Sequence, residues 1–233
     1  MRAIVFDWDG TLVDTLPAIL RANVTVLGEY GVPFDEARYR AAYAPDWRLM
    51  YRRLGVPEEA VEAAGARWLG LYRDAAALLP FEGIDAALRR LAAAGHRLGI
   101  VTAGHRAVVE AQLELFGLAD LFPARVCGDD RLAAKPDPAP LLRALAELDA
   151  ADLPQPAIYV GDAPDDMRMA RAAGAIGIGI IGALASPEDL WAAGASDVHG
   201  SVVAWIDAFL ADVGAPPLAR PVATSAAHRG SRA

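Results

Sequence analysis

Several things are scarce in this 233-residue chain, and each shortage excludes a class of function. There is one cysteine, Cys127, so no intramolecular disulfide can form and the chain is expected to work in a reducing compartment, the cytoplasm. No apolar run is long enough for a membrane span, because the weakly polar stretch 174–185 is short and interrupted by glycine. The first apolar run meets Asp7 within a few residues, which predicts no secretory signal and no membrane partner. Basic charge is scarce too. The formal net charge of −8 offers no surface to offset the phosphates of a nucleic acid. Lysine is rarest: of the 22 basic residues only Lys135 is a lysine, so its place in one loop marks a specific task. Hydrophobic residues at 55% and charged residues at 22% supply a core for one large domain or two small ones.

The richest stretch lies at the start, where Ala3-Ile4-Val5-Phe6 runs into Asp7-Trp8-Asp9-Gly10-Thr11-Leu12-Val13-Asp14. Alternate residues of an extended strand point the same way, so Asp7 and Asp9 can converge on one small volume. Two like charges so placed need a cation or a shared proton. The plainer alternative is a strand end followed by acidic turn residues, since Asp and Gly are ordinary turn formers.

The next strand pattern begins only after His96, far beyond the reach of a single helical crossover. Leu16, Leu20, Val24 and Leu27 recur at helical spacing, and so do Val61, Ala64, Trp68, Leu71, Ala75 and Leu78. Residues 15–79 are therefore expected to form an inserted helical cap, with 1–14 and 80–213 as the core. From residue 83 onward helical and strand patterns alternate. Helices are expected at 84–94, 105–116, 138–148, 164–173, 187–193 and 202–211, and strands at 98–102, 125–127, 157–160 and 175–181. This predicts an α/β fold, a Rossmann-like parallel sheet core with an inserted α-helical cap. Residues 214–233, with three prolines and no acid, read as a flexible tail.

Ligands of open parallel sheets collect outside the carboxyl ends of the strands. Asp7, Thr102, Lys135 and Asp162 stand at or after four such ends. The Thr102 hydroxyl can donate to a phosphoryl oxygen. The compact Lys135 ammonium can approach a carboxylate and a phosphate together, whereas a planar guanidinium would need a differently shaped pocket. Asp162 follows Gly161 at a strand end and suits a hard cation, whereas Asp165 reads as a helix cap.

In this order and spacing the motifs resemble those of the haloacid dehalogenase superfamily, in particular its phosphoglycolate phosphatase-like branch with a helical cap. Asp7 to Asp14 match motif I, Thr102 motif II, Lys135 motif III, and Gly161, Asp162 and Asp166 motif IV. Residues 117–122 and Gly128-Asp129-Asp130 are also similar to that branch. The resemblance implies a phosphoric monoester hydrolase in which Asp7 is the nucleophile and Asp9 the general acid and base. It implies a Mg2+ cofactor held by Asp7, the Asp9 carbonyl and Asp162, with Asp166 ordering a bound water or Lys135. Thr102, Lys135 and backbone N–H groups near Asp9, Gly10 and Ala103 would hold the phosphoryl oxygens. The substrate would be a small phosphate ester (phosphoglycolate-like, a sugar phosphate or a nucleotide), and the enzyme a monomer or homodimer.

Within the superfamily, Asp9 argues against a dehalogenase, and a cap without lysine argues against a phosphonate hydrolase. A sugar phosphomutase shares all four motifs, but mutases of this branch more often carry valine where this chain has Thr11. A non-catalytic phosphate-binding module is disfavoured because no catalytic position is lost. For substrate contacts, Arg48 follows Pro45-Asp46-Trp47 and can present a fork from the cap, or else simply begins a helix. His105 and Arg106 are the rival contacts from the core.

Overall fold

Ala3–Phe6 form strand β1 of the computed structural model, which describes residues 1–73 and 78–212. Ile4 and Phe6 enter one apolar cluster, Ala3 and Val5 the other, and all four are fully buried. A strand covered on both faces needs an unbroken apolar run, which explains the opening of the chain. The other strands are β2 (Arg97–Val101), β3 (Ala124–Val126), β4 (Ile158–Gly161), β5 (Ile176–Ile180) and β6 (Asp197–His199). All pairings are parallel in the order β3-β2-β1-β4-β5-β6, with Val5 facing Gly99 on one side and Tyr159 on the other. The order reverses at β1, so the crevice that takes ligands in such sheets opens at its carboxyl end.

Between β1 and β2 the chain builds α1 (Leu16–Glu29), α2 (Glu36–Ala42), α3 (Trp47–Leu54) and α4 (Val61–Arg73), then returns through α5 (Ile84–Ala93). Asp35 and Asp46 cap α2 and α3, accepting the N–H groups of Arg38 and Arg48. The insert has its own apolar cluster, which includes Val26, Leu27, Met50, Tyr51, Leu54 and Val61. Gly65 is required there: a Cβ at that position would lie 2.5 Å from the Trp47 ring, so only glycine lets α4 approach α3. The outgoing and returning segments are hydrogen-bonded side by side, Asp14 N–H to the Leu79 carbonyl (3.1 Å) and Phe81 N–H to that of Leu12 (3.0 Å).

Helices α5, α6 (Arg106–Phe116) and α10 (Val202–Asp212) cover one sheet face, placing Leu88, Leu113 and Ile206 against Phe6 and Ile100. The other face packs against Leu141 and Ala144 of α7 (Ala139–Glu147) and Met169 of α8 (Pro164–Ala172), while α9 (Pro187–Ala193) leans on α8 through Leu190.

The structure departs from the sequence pattern in two places. Val24 is 54% exposed, because the face that α1 buries carries Ala18, Ala22, Asn23, Val26 and Leu27 instead. Strand β6 was not expected: three residues with Asp197 and His199 at its ends carry no apolar period, and only pairing with β5 reveals it. The Ala75 position of the helical pattern and the tail 214–233 lie outside the described residues.

Candidate active site

Asp7 leaves β1 with its N–H still bonded to the Val160 carbonyl (2.8 Å), so β4 sets where its carboxylate begins. Lys135 Nζ donates to Asp7 Oδ1 (2.7 Å) and to Asp166 Oδ1 (2.8 Å), and these three side chains are 8%, 9% and 2% exposed. Asp166 is held further by the Tyr159 hydroxyl (3.2 Å) and by the Ala163 N–H on its other oxygen (3.1 Å). Carboxylate oxygens of Asp7, Asp162 and Asp166 lie within 4.8 Å of one another. The motif I turn closes on this group. Thr11 Oγ1 is 3.4 Å from Asp162 Oδ1, and Gly10, at φ +79°, would place a Cβ 2.7 Å from Asp162 Oδ2. Any side chain at Gly10 would push Asp162 out of the cluster.

Burial pushes the Asp7 carboxyl up to about 7, against the pull of Lys135 and with repulsion from Asp166 and Asp9 adding to it. Asp162 is raised well above the usual carboxylate range, first by burial and then by Asp7 and Asp166. Burial pulls Lys135 down, but Asp166 and Asp7 more than offset it and hold the ammonium above its ordinary value. Three carboxylates against one ammonium leave an excess of negative charge in a buried space with oxygen donors only, which fits a hard divalent cation. Asp7 and Asp162 would hold it, since both oxygens of Asp166 already have partners.

A stability profile follows. A carboxyl held above its ordinary value keeps a proton that the unfolded chain has lost, so ionising it destabilises the fold. The metal-free protein should therefore lose stability as pH rises from about 4 towards the Asp7 value of about 7. Added magnesium should raise Tm by an amount that grows from about pH 5 to about pH 8. Calorimetry with and without a chelator measures this, and a gain independent of pH would count against a cation site built on these acids.

Asp9 is half-buried beside this cluster. Its Oδ1 accepts the Tyr72 hydroxyl (2.9 Å), and its Oδ2 is 3.5 Å from Thr102 Oγ1, which itself accepts the Gly104 N–H (2.9 Å). Burial holds the Asp9 carboxyl above its usual range, opposed by the hydrogen bond from Tyr72. From the insert, Tyr39 and Tyr43 stand edge to face at 6.0 Å. Burial first, and then the carboxylates of Asp162 and Asp7, raise both phenols above their ordinary range.

The structure thus brings together Asp7, Asp9, Gly10, Thr102, Lys135, Asp162 and Asp166, with Ala103 exposed just beyond Thr102. It does not bring Arg48 to them. The Arg48 guanidinium is exposed, stacked over Trp47 and bonded through both Nε and Nη2 to Glu62. Arg106 is likewise occupied, forked onto Asp130 (3.0 and 2.5 Å) and bonded to Glu110 and the Arg125 carbonyl. His105 opens α6 half-buried, its Nδ1 3.2 Å from Asp129. Asp165 is not the α8 cap either: it pairs with Arg168, and Asp166 takes the Ala163 N–H. The sequence reading missed Tyr72 and Tyr159, because a tyrosine in an apolar helical or strand pattern reads as core and nothing local shows where its hydroxyl ends.

The haloacid dehalogenase-like hydrolase family matches residues 4–180. A phosphoglycolate phosphatase from Rhodospirillum rubrum is 38% identical over 186 residues, covering 74% of this chain and 76% of that protein. An N-acetylmuramic acid 6-phosphate phosphatase from Pseudomonas aeruginosa is 31% identical over 75% of this chain and 79% of its own length. A solved hydrolase structure from Pseudomonas syringae superimposes with a TM-score of 0.79 over 91% of this chain and 99% of that one; at 24% identity it shows the fold alone. A match over most of the parallel sheet, relatives above 30% identity, and acids at the matching strand ends agree, and the chain belongs to the haloacid dehalogenase-like hydrolase family, among its phosphoglycolate phosphatase-like enzymes.

Proposed function

We propose that this enzyme removes phosphate from a small phosphorylated metabolite through an aspartyl-phosphate on Asp7, with Mg2+ as cofactor and residues 15–79 acting as a cap. The observation that carries the proposal is Lys135 bridging Asp7 and Asp166 at the sheet's switch point, with Asp9 two residues from Asp7 and close to Thr102. A carboxylate oxygen of Asp7 attacks phosphorus, and the bond to the ester oxygen breaks. Asp9 gives its proton to the departing alkoxide. Water then attacks phosphorus, Asp9 takes the proton, and inorganic phosphate leaves with Asp7 restored. Thr102 and Lys135 hold phosphoryl oxygens, helped by N–H groups around Gly10 and Ala103. When bound, the cation offsets the repulsion between the Asp7 carboxylate and the phosphate dianion.

Leaving groups compatible with this core include a glycolate-like acid, a sugar and a nucleoside. A single buried cysteine, Cys127, supports a cytoplasmic setting. Phosphate release by the purified protein with magnesium, measured across a panel of phosphorylated metabolites, tests the reading. No turnover of any ester would overturn it, and a requirement for a sugar bisphosphate would mark a phosphomutase.

Asp9→Asn is expected to lower kcat by about a hundredfold or more, since a positioned acid and base contributes on that order; near wild-type rates on a poor leaving group would remove Asp9 from that role. Arg48→Ala, by contrast, is expected to change kcat/KM by less than about twofold, because its exposed pair with Glu62 contributes little. A tenfold loss confined to the best natural substrate would return Arg48 to the binding site.

A further inference from the structure

We propose that Tyr72, carried by the insert, is the positioning residue for Asp9: its hydroxyl holds Oδ1 so that Oδ2 is presented to the leaving group only while insert and core sit together. The inference rests on the catalytic reading of Asp9 given above.

Tyr72 lies near the end of α4 and is 6% exposed, its ring stacked on Trp68 at 4.6 Å and 12°. It belongs to the sheet-side apolar cluster with Trp8 and Leu12 and not to the insert's own cluster, so the tyrosine crosses from one body into the other. Its hydroxyl donates to Asp9 Oδ1 at 2.9 Å. On the core side Trp8, in the same apolar cluster as Tyr72, donates its Nε1–H to Gln112 Oε1 at 2.6 Å. Trp8, between Asp7 and Asp9 in sequence, is fully buried in the apolar cluster that also takes Tyr72.

The second oxygen of Asp9 has a different environment. Oδ2 is 3.5 Å from Thr102 Oγ1 and faces the backbone of Gly104, where a Cβ would come within 3.0 Å of it. The space at Oδ2 exists because residue 104 has no side chain, and it adjoins the Thr102 hydroxyl that meets the phosphoryl group. With Oδ1 occupied by Tyr72, Oδ2 is the oxygen that carries the transferred proton. Without the insert in place, Asp9 would keep only the long contact to Thr102, and its carboxylate would be free to turn. The acid is in this way assembled from two bodies, and proton transfer waits for the insert to cover the substrate.

Tyr72→Phe keeps the ring and its stacking and removes only the hydroxyl. On phenyl phosphate we expect kcat to fall about tenfold with KM within about twofold, because the lost interaction orients the acid and does not bind substrate. In an Asp9→Asn background, where the hydrogen bond can still form but proton transfer cannot, Tyr72→Phe should cost less than about twofold. An unchanged kcat in the single variant, or the same tenfold loss in both backgrounds, would overturn the proposal; the latter would show a merely structural tyrosine. Crystal structures of wild type and Tyr72→Phe provide a readout independent of turnover. Asp9 should leave its wild-type rotamer in the variant, and an unmoved, singly ordered Asp9 would equally overturn it. If the wild type hydrolysed no phosphate ester, the catalytic reading would fail while the Asp9 rotamer still decided the role of Tyr72.

Discussion

Asp7→Asn is expected to leave less than about one part in ten thousand of the wild-type kcat, because it deletes the attacking charge of a covalent mechanism. The substitution nearly preserves shape, and Asn Oδ1 can still accept from Lys135, which now lies 2.7 Å from Asp7 Oδ1. The fold should therefore survive. The metal-free variant should even gain stability above about pH 7, since Asp7 is held up to about 7 by burial and by its acidic neighbours, and removing it relieves that repulsion. Phosphate release and Tm measured on the same preparation give opposite signs for the two effects. Appreciable turnover by the pure variant would take Asp7 out of the nucleophile's place. A large fall in Tm would instead show that the cluster depends on the Asp7 charge for its packing.

Lys135→Met carries the second large effect, and here stability and activity should fall together. The ammonium is the common partner of Asp7 and Asp166 in a space where its side chain is 8% exposed. Breaking a buried pair from one side costs about 3–5 kcal/mol, which for a chain of this size lowers Tm by roughly 10 °C. The carboxylates can reduce that penalty by taking up protons, so the loss should be smaller at acidic pH and larger near neutrality. The rate should fall by about a thousandfold, because a charge aimed at the phosphoryl oxygens is lost with it. Lys135→Arg separates charge from shape. Two carboxylate oxygens at 2.7 and 2.8 Å from one Nζ define a point-charge site, and a planar fork does not fit between them without moving Asp166 off the Ala163 N–H. Low activity in both variants is the expected result; full activity of Lys135→Arg would show that only charge matters at this position.

The parallel core was legible in the sequence because its signals are local. Buried strands need continuous apolar runs, helices end at glycines such as Gly117, Gly174 and Gly194, and the polar residues stand directly after the strands. Strand β6 was hidden for the complementary reason: an edge strand of three residues owes its existence to a neighbour and not to its own pattern. The same distinction divides the site. Asp7, Thr102, Lys135 and Asp162 could be named before any coordinates because each stands at or after the end of a predicted strand and such a sheet gathers its strand ends; Asp9 could be named from its spacing to Asp7, and Asp166 through the resemblance of its motif.

The sequence by itself determined five strands of the sheet, the acids that follow them and the single lysine among these, since they depend on spacing along the chain. Tertiary structure alone decided which oxygen of each acid is occupied, that Arg48 and Arg106 are taken up by Glu62 and Asp130, and that Tyr72 of the insert reaches Asp9. Those contacts join residues many positions apart, and a side chain's partner across such a distance is set by how two packed bodies meet, which no local period or motif encodes.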